Sequence, residues 1–307
     1  MTDLQVISAA LSKSELSSIV VVGDYALDKY LYIDPARDEP SLETGLTAYQ
    51  IHGKRMSAGA GGNVVSNLRA LGAQVTCISL VGDDGEGYEL LRCLKDIGAN
   101  TDYMVHAADL CTCTYTKPMR LQSDGSWQEM NRLDFRNFAP PSMEVQRRII
   151  ENLEKCLPHA DAVLVVDQFC QRNLGTITDY VRRNLNRLAQ EHPEVIFFVD
   201  SRAFSNEFRN MIVKCNNHEL TAMTGNACDP EDPEALRQEF ADYPNLLLRD
   251  QTEPPLEIWT ETDEDSLEGV YFGMLRKAME ESPEQARKIR LAAEISRKLL
   301  SGREVKL

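Results

Sequence analysis

Short apolar runs alternate with longer stretches of mixed polarity along most of this chain. The run at 18–23, SIVVVG, is apolar almost throughout and is followed directly by Asp24. The runs DAVLVVD and VIFFVD are built in the same way and end at Asp167 and Asp200. Continuous apolar runs of this length are typical of parallel strands that are buried on both faces. We therefore predict that these segments lie in the interior of one sheet.

Helical periodicity fills the intervals between such strands. Helices are predicted at about 63–71, 88–97, 143–157, 174–191, 219–224, 233–242, 266–281 and 283–301, and further strands at 74–82, 211–215 and 245–249. This alternation predicts an α/β fold, in which a doubly wound, mostly parallel sheet lies between two helical layers. Ligands of such sheets bind at the carboxyl ends of the strands. Polar residues follow the predicted strands at Asp24, Asp167, Asp200 and Asn216.

Two stretches interrupt this alternation. Residues 30–57 contain polar turns between short β-prone pieces, and residues 112–135 alternate around the turn signal Ser123-Asp124-Gly125. We expect these insertions to form a small second sheet, a β lid, that covers the site. The whole chain, 1–307, is then predicted to be a single α/β domain that carries this lid.

The segment SAGAGGNVVSNLRALG at 57–72 lacks bulky side chains just before a predicted helix. Glycine allows close approach of the backbone, and a helix N-terminus offers unpaired N–H groups with partial positive charge. This turn could hold a small polar ligand or an anion against bare backbone. It could equally be a tight corner between a strand and a helix, and the turn alone leaves both interpretations open.

Composition narrows the range of partners. The chain has 307 residues, 43% of them hydrophobic, and a net charge of −15, which disfavours nucleic acid as a partner. No apolar run approaches the ~20 residues that span a bilayer, and Met1–Ser18 lacks the pattern of a signal peptide. The eight cysteines are scattered, several of them within apolar runs, which is typical of buried free thiols. We therefore expect a cytoplasmic protein without a membrane partner.

Several motifs follow one another in a recognisable order: VVVGDYALDKY at 20–30, GAGGNVVSNLRALGA at 59–73, LVGDDGEG at 80–87, YTKPMRL, NRLDF, VVDQF, VDSR and NNHE. Together they resemble the ribokinase/PfkB carbohydrate-kinase family, most closely its heptose-7-phosphate kinase branch. The resemblance implies a ribokinase-like fold, ATP and Mg²⁺ as cofactors, and a sugar or sugar phosphate as substrate.

The resemblance also implies a substrate-binding set. Small residues let a sugar ring lie against the backbone, and an Asn amide both donates and accepts hydrogen bonds. Asp24 would accept hydrogen bonds from two sugar hydroxyls, with a helix cap or a turn cap as the alternative. Lys117, together with Arg120, would meet a phosphate already on the sugar, unless both are solvated strand positions. The complete implied set is Asp24, Asp28, Gly59, Ala60, Asn63, Lys117 and Asp167. The role of Asp28 is ambiguous. Asp167, like Asp200, could be structural or could guide the phosphate and the metal.

On the nucleotide side, Asn216 and Glu219 match the family's N-x-x-E motif. The resemblance implies that they contact the nucleotide and that Glu219 organises the hydration of Mg²⁺, which prefers oxygen ligands. The same spacing also suits a helix N-cap with its partner at the third helical position. Both roles are compatible.

The chain departs from the family at its catalytic signature. Aligning residues 260–275 with the G-A-G-D motif puts Asp265 at the catalytic base, but Thr262, Asp263 and Glu264 stand where the motif has small residues. The family's T-x-G-x-x-G loop is also missing after NLLLR. Either the chain is catalytically degenerate, or a segment between Leu248 and Asp265 is absent from this sequence.

The first functional hypothesis is therefore ATP-dependent phosphorylation of a sugar or sugar-phosphate hydroxyl. The alternative is a catalytically degenerate relative that binds or senses a sugar or a nucleotide; a nucleoside kinase fits less well. We further expect a homodimer formed through the lids, because pairing two copies would cover the exposed sheet.

Overall fold

The computed structural model describes residues 17–215, Glu219 and the strand at 246–248. In chain order the elements are β1 (Ser18–Gly23), β2 (Tyr25–Ile33), β3 (Glu39–Pro40), β4 (Thr47–Ala48), β5 (Ile51–Ala60), α1 (Gly61–Ala70), β6 (Gln74–Ile78), β7 (Leu80–Gly82), α2 (Gly85–Asp96), β8 (Val105–Ala107), β9 (Thr114–Leu121), β10 (Trp127–Glu129), β11 (Leu133–Phe135), α3 (Met143–Cys156), β12 (Ala162–Asp167), α4 (Asp179–Glu191), β13 (Ile196–Ser201), β14 (Ile212–Cys215) and β15 (Leu246–Leu248).

The apolar runs form a central parallel sheet. Within the described residues its strand order is β15-β14-β13-β12-β1-β6, and each neighbouring pair is parallel. The strand β1 lies between β6 and β12, so the sheet grows in one direction after β1 and in the other direction from β12 onward. The point where the strand order reverses therefore lies between β1 and β12.

Helices cover both faces of the central sheet, and β1 shows how its residues alternate between them. Val20 and Val22 belong to the core on one face, together with Ile149 of α3 and Leu185 of α4. Val21 belongs to the core on the opposite face, which is completed by residues of α1 and α2, including Val65, Leu90 and Leu94. The predicted three-layer α/β fold is confirmed.

The two insertions supply strands of a second sheet, the lid sheet. Its strand order is β10-β9-β2-β5. β11 pairs with residues 114–116 of β9, and β10 pairs with residues 119–121 of the same strand. One face of this sheet is buried near its base, where Leu27 and Thr114 are fully covered. We call the opposite face, which carries Asp28, Tyr30 and Lys117, the open face of the lid. The strands β2 and β5 extend further into residues 30–57 than the broken pattern suggested.

Some predicted boundaries shift for local reasons. The strand predicted at 74–82 is two strands, β6 and β7, which belong to separate sheets. The helix predicted from residue 174 begins at Asp179, because the hydroxyl of Thr178 caps it. Except for Glu219, the helices predicted after residue 215 lie outside the described residues. Where the structure is described, none of the helices has the length and apolar character needed to cross a bilayer.

Candidate active site

The predicted strand-end site lies at the reversal point of the central sheet. Asp24 directly follows β1 and Asp167 ends β12, so both carboxylates lie at the carboxyl ends of neighbouring strands. Gly23 adopts a φ of 148°, and an added Cβ would overlap the carbonyl oxygen of Val166. Only glycine therefore allows the two strand ends to approach this closely.

The carboxylate of Asp24 binds the backbone of the loop that follows β12. Its Oδ2 accepts hydrogen bonds from the N–H groups of Gln168 at 2.8 Å and Phe169 at 3.3 Å, and its Oδ1 accepts one from Thr176 at 2.7 Å. Asp24 is only 2% exposed. The side chain thus joins both ends of loop 168–176, as the turn-cap alternative expects. A sugar contact from Asp24 stays a prediction.

Asp167 belongs to a buried ionic network. Its Oδ2 accepts a hydrogen bond from the hydroxyl of Ser201 at 2.8 Å and lies 3.4 Å from a guanidinium nitrogen of Arg182. The same guanidinium also contacts Asp179 and Glu207, each at 3.0 Å. These contacts fix the orientation of Asp167 and support its structural role, whereas a substrate contact stays a prediction.

Burial brings both carboxyls at the reversal point closer to neutrality. It raises the pKa of Asp24 to about 7, and the nearby charge of Asp167 adds to this, although the backbone donors lower the pKa. Burial likewise raises the pKa of Asp167 to about 6, against the opposing effects of Ser201 and Arg182. Both groups therefore change protonation at a much higher pH than ordinary aspartates.

A second polar cluster lies on the open face of the lid. Lys117 places its ammonium 2.8 Å from Oδ1 of Asp28 and 3.1 Å from the hydroxyl of Tyr30. A Cβ on Gly59 would stand 2.5 Å from Oδ2 of Asp28, so glycine leaves the room that this carboxylate occupies. Partial burial lowers the pKa of Lys117, but Asp28 and Tyr30 outweigh it and hold the pKa above its usual range. The structure thus brings the predicted residues Asp28, Gly59 and Lys117 together.

The Gly-rich turn joins the lid to α1. Ala60 has a φ of 51° and a ψ of −118°, a conformation that favours glycine, and its side chain provides no cap for the helix. The N–H of Gly61 donates to the backbone oxygen of Asp24 at 2.8 Å. Asn63 is exposed in the first turn of α1. The turn therefore connects the end of β1 with the lid, while hydroxyl binding by Gly59, Ala60 and Asn63 stays a prediction.

The predicted phosphate pair of Lys117 and Arg120 is wrong, because the two side chains lie on opposite faces of β9. Strand residues three positions apart point to opposite sides. Arg120 instead forms an ion pair with Asp38 at 2.8 Å and lies over the ring of Tyr49. Lys117 remains on the open face of the lid.

Three further predicted positions bear on the nucleotide side. Asn216 and Asp265 lie outside the described residues, and Glu219 is a half-buried residue in a helical conformation. At the end of β13, Asp200 pairs with the ammonium of Lys214 at 3.0 Å. The roles inferred for Asn216, Glu219 and Asp265 therefore stay predictions.

Sequence reasoning missed two contributors to these clusters. Arg182 follows Thr178 by four positions and precedes Leu185 by three, so a charge on the buried face of a helix was its signal. Tyr30 lies two positions after Asp28, which places both side chains on one face of β2. Neither signal was specific enough to indicate the contact partners.

Residues 17–243 match the sequence model of the pfkB family of carbohydrate kinases. The chain is 33% identical over 167 residues to the bifunctional protein HldE of Rhodopseudomonas palustris (strain BisA53), a match that covers 54% of this chain and 32% of that protein. It is 28% identical over 260 residues to the bifunctional protein HldE of Marinomonas sp. (strain MWYL1), covering 80% of this chain and 51% of the relative. The matched part of the chain thus spans about a third of the first relative and about half of the second.

Solved structures agree with the fold. A carbohydrate kinase from Agrobacterium tumefaciens superposes with a TM-score of 0.51 at 18% identity, covering 73% of this chain and 67% of that one. Phosphofructokinase-2 from Escherichia coli superposes with a TM-score of 0.51 at 16% identity, covering 75% and 70%. The fold is that of the ribokinase-like kinases. The family match covers most of the chain, and the chain belongs to the pfkB family of carbohydrate kinases.

Proposed function

We propose that the chain phosphorylates a hydroxyl of a sugar or sugar phosphate, with MgATP as the phosphoryl donor. The observation that carries the proposal is the cluster of Asp28, Gly59 and Lys117 on the open face of the lid, next to the Gly-rich turn. A carboxylate beside bare backbone can accept hydrogen bonds from vicinal hydroxyls without steric hindrance. Membership of a family of carbohydrate kinases supports this assignment.

The proposed reaction needs little covalent chemistry from the protein. The sugar hydroxyl oxygen forms a bond to the γ-phosphorus, the bond between this phosphorus and ADP breaks, and Asp265 accepts the hydroxyl proton. Asn216 and Glu219 would hold the nucleotide and its Mg²⁺. Catalysis would then consist mostly of positioning and charge stabilisation. A heptose phosphate is the first substrate to test, since the motifs of the chain resemble the heptose-7-phosphate kinase branch.

A coupled ADP-release assay over a panel of sugars and sugar phosphates tests the proposal. We expect sugar-dependent release that falls by 10²–10⁴-fold in Asp265→Asn, a typical loss when a general base is removed. Asp102→Asn, an exposed position far from the proposed set in sequence, is the matched control and should keep the parent rate. A robust rate that survives Asp265→Asn would refute the assignment of the base.

One observation favours a second function, a non-catalytic sugar sensor. Thr262, Asp263 and Glu264 precede Asp265, and acidic side chains there would repel the phosphates of ATP. A sensor would bind a sugar of the panel, measured by titration calorimetry, and would release no ADP with any of them.

A further inference from the structure

The open face of the lid carries a cation that the family motifs do not include. Arg55 lies opposite Tyr30 in β5, and Lys117 lies opposite the same tyrosine in β9. The guanidinium carbon of Arg55 is 4.1 Å from the centre of the Tyr30 ring, and the ammonium of Lys117 is 4.7 Å from it. One phenol ring therefore holds two cations of neighbouring strands in place.

The partners of these groups show what they can still bind. Lys117 donates to Asp28 and to the hydroxyl oxygen of Tyr30, which leaves one of its three donors and the hydroxyl proton of Tyr30. Arg55 is exposed, and within residues 17–215 no carboxylate pairs with it. An anion at the hydroxyl end of the ring would therefore meet a guanidinium, an ammonium and an O–H donor. Planar guanidinium groups are well suited to phosphate oxygens.

The distance from the proposed sugar contact is also suitable. Asp28 and Tyr30 are two residues apart on one face of β2, a step of about 7 Å along a strand. A sugar whose hydroxyls bind Asp28 beside Gly59 would direct a substituent of its far end along the strand towards Tyr30. Asp28 neutralises much of the charge of Lys117, so discrimination for an anionic substituent depends mainly on Arg55.

We propose that Arg55, held against Tyr30, is a specificity-determining residue that selects sugars carrying a phosphate at the end remote from the hydroxyls that Asp28 binds. This inference rests on the proposed sugar-kinase function and narrows its substrate class to phosphorylated sugars. Residues of the same sheet face provide the site: Asp28 for the hydroxyls, and Arg55, Tyr30 and Lys117 for the phosphate.

Titration calorimetry with heptose 7-phosphate and with the corresponding unphosphorylated heptose tests the proposal. The parent chain should bind the phosphorylated sugar at least tenfold more tightly, because hydrogen bonds to charged groups are strong. Arg55→Gln should remove most of this difference and leave the affinity for the unphosphorylated heptose unchanged. Inorganic phosphate should compete with heptose 7-phosphate in the parent chain and far less in Arg55→Gln.

Lys54→Gln is the matched control. Lys54 directly precedes Arg55 in β5, is exposed, and points to the opposite face of the sheet. Its substitution therefore removes the same charge at nearly the same place. Equal losses of affinity for heptose 7-phosphate in both variants would mean that overall charge, and not the position of Arg55, causes the effect. That result would overturn the proposal. Equal binding of the two sugars by the parent chain, or no binding of heptose 7-phosphate or inorganic phosphate, would also overturn it. Binding that depends on Arg55 without ADP release would instead refute the kinase reaction and leave the phosphate site standing.

Discussion

Asp24 at the end of β1 and Asp28 in β2 stand four positions apart, yet the central sheet and the lid sheet surround their carboxylates differently. In the central sheet, Asp24 is buried and accepts backbone hydrogen bonds from loop 168–176. In the lid sheet, Asp28 faces a partly open surface and pairs with the side chain of Lys117. The first carboxylate joins two segments of the backbone, whereas the second is the one that we propose as a ligand contact.

The same contrast holds for the cations of the two sheets. Arg182, next to the central sheet, is 2% exposed and is enclosed by carboxylates of three different segments. Arg55 of the lid is exposed and lies over the ring of Tyr30, and among residues 17–215 it has no carboxylate partner. Buried ionic networks are costly to break, while exposed cations contribute little to stability. Substitutions in the two sheets should therefore separate stability from binding.

The largest effect is expected for Asp24→Ala. The substitution removes the acceptor of three backbone N–H groups, and each buried polar group left without a partner costs about 1–3 kcal/mol. The free energy of unfolding in urea should fall by about 3 kcal/mol or more. Asp28→Asn leaves Lys117 its contact with the hydroxyl of Tyr30, so it should lower the free energy of unfolding by less than Asp24→Ala does, and it should weaken sugar binding. Similar stability losses in both variants would erase the contrast between the sheets.

The pH dependence of stability tests the buried carboxylates of the central sheet in a second way. The folded pKa values of Asp24, about 7, and Asp167, about 6, lie above the value of 3.8 for an ordinary aspartate. The folded state therefore holds protons that the unfolded state has lost, and stability falls as pH rises. The fall begins near pH 4, amounts to as much as ~1.4 kcal/mol per pH unit and proton, and ends near pH 7.

Urea unfolding from pH 4.5 to 8 measures this dependence. Asp24→Asn cannot titrate and should show a flatter profile than the parent chain, although it is less stable throughout. Asp102→Asn, an exposed control, should keep the parent slope. A parent profile that rises steadily between pH 5 and 7 would contradict the expected sign.

The smallest effect concerns the turn between the two sheets. Ala60 adopts a conformation that favours glycine, and such strain costs about 1–3 kcal/mol. Ala60→Gly should therefore stabilise the chain by about 1 kcal/mol after the higher backbone entropy of unfolded glycine is subtracted. Ala70→Gly, at the end of α1, should be destabilising. If both variants are destabilising by the same amount, Ala60 carries no strain.

Local patterns in the sequence predict the central sheet but not the contacts at the carboxyl ends of its strands. The run at 18–23 is apolar because β1 is covered on both faces, and this signal lies within the strand itself. The partner of Asp24, in contrast, is a loop about 150 positions further along the chain, and no local pattern encodes that distance. The sequence around a carboxylate that follows a strand is similar whether the side chain binds a ligand or a backbone segment of the same protein.

The sequence predicts where the lid lies but not which of its strands and side chains pair with one another. Half-exposed strands carry polar residues on one face, so their apolar signal is weak, and the pattern does not indicate the full lengths of β2 and β5. Lys117 and Arg120 do not share a ligand site, because residues three positions apart in a strand point to opposite faces of the sheet. Arg55 gave no signal at all, since its position depends on the register between β5 and β2.

The position of β1 between β6 and β12 has a consequence for synthesis on the ribosome. One edge of β1 can pair with β6 as soon as residues 74–78 have left the ribosome. The other edge can pair with β12 only after residues 162–167 have left it. At translation rates of about 5–20 residues per second, the interval lasts several seconds or more. During that time an apolar strand edge is open to wrong partners. We expect the nascent chain to be most prone to aggregation in this interval, and chaperones that shield unpaired strands to improve its yield.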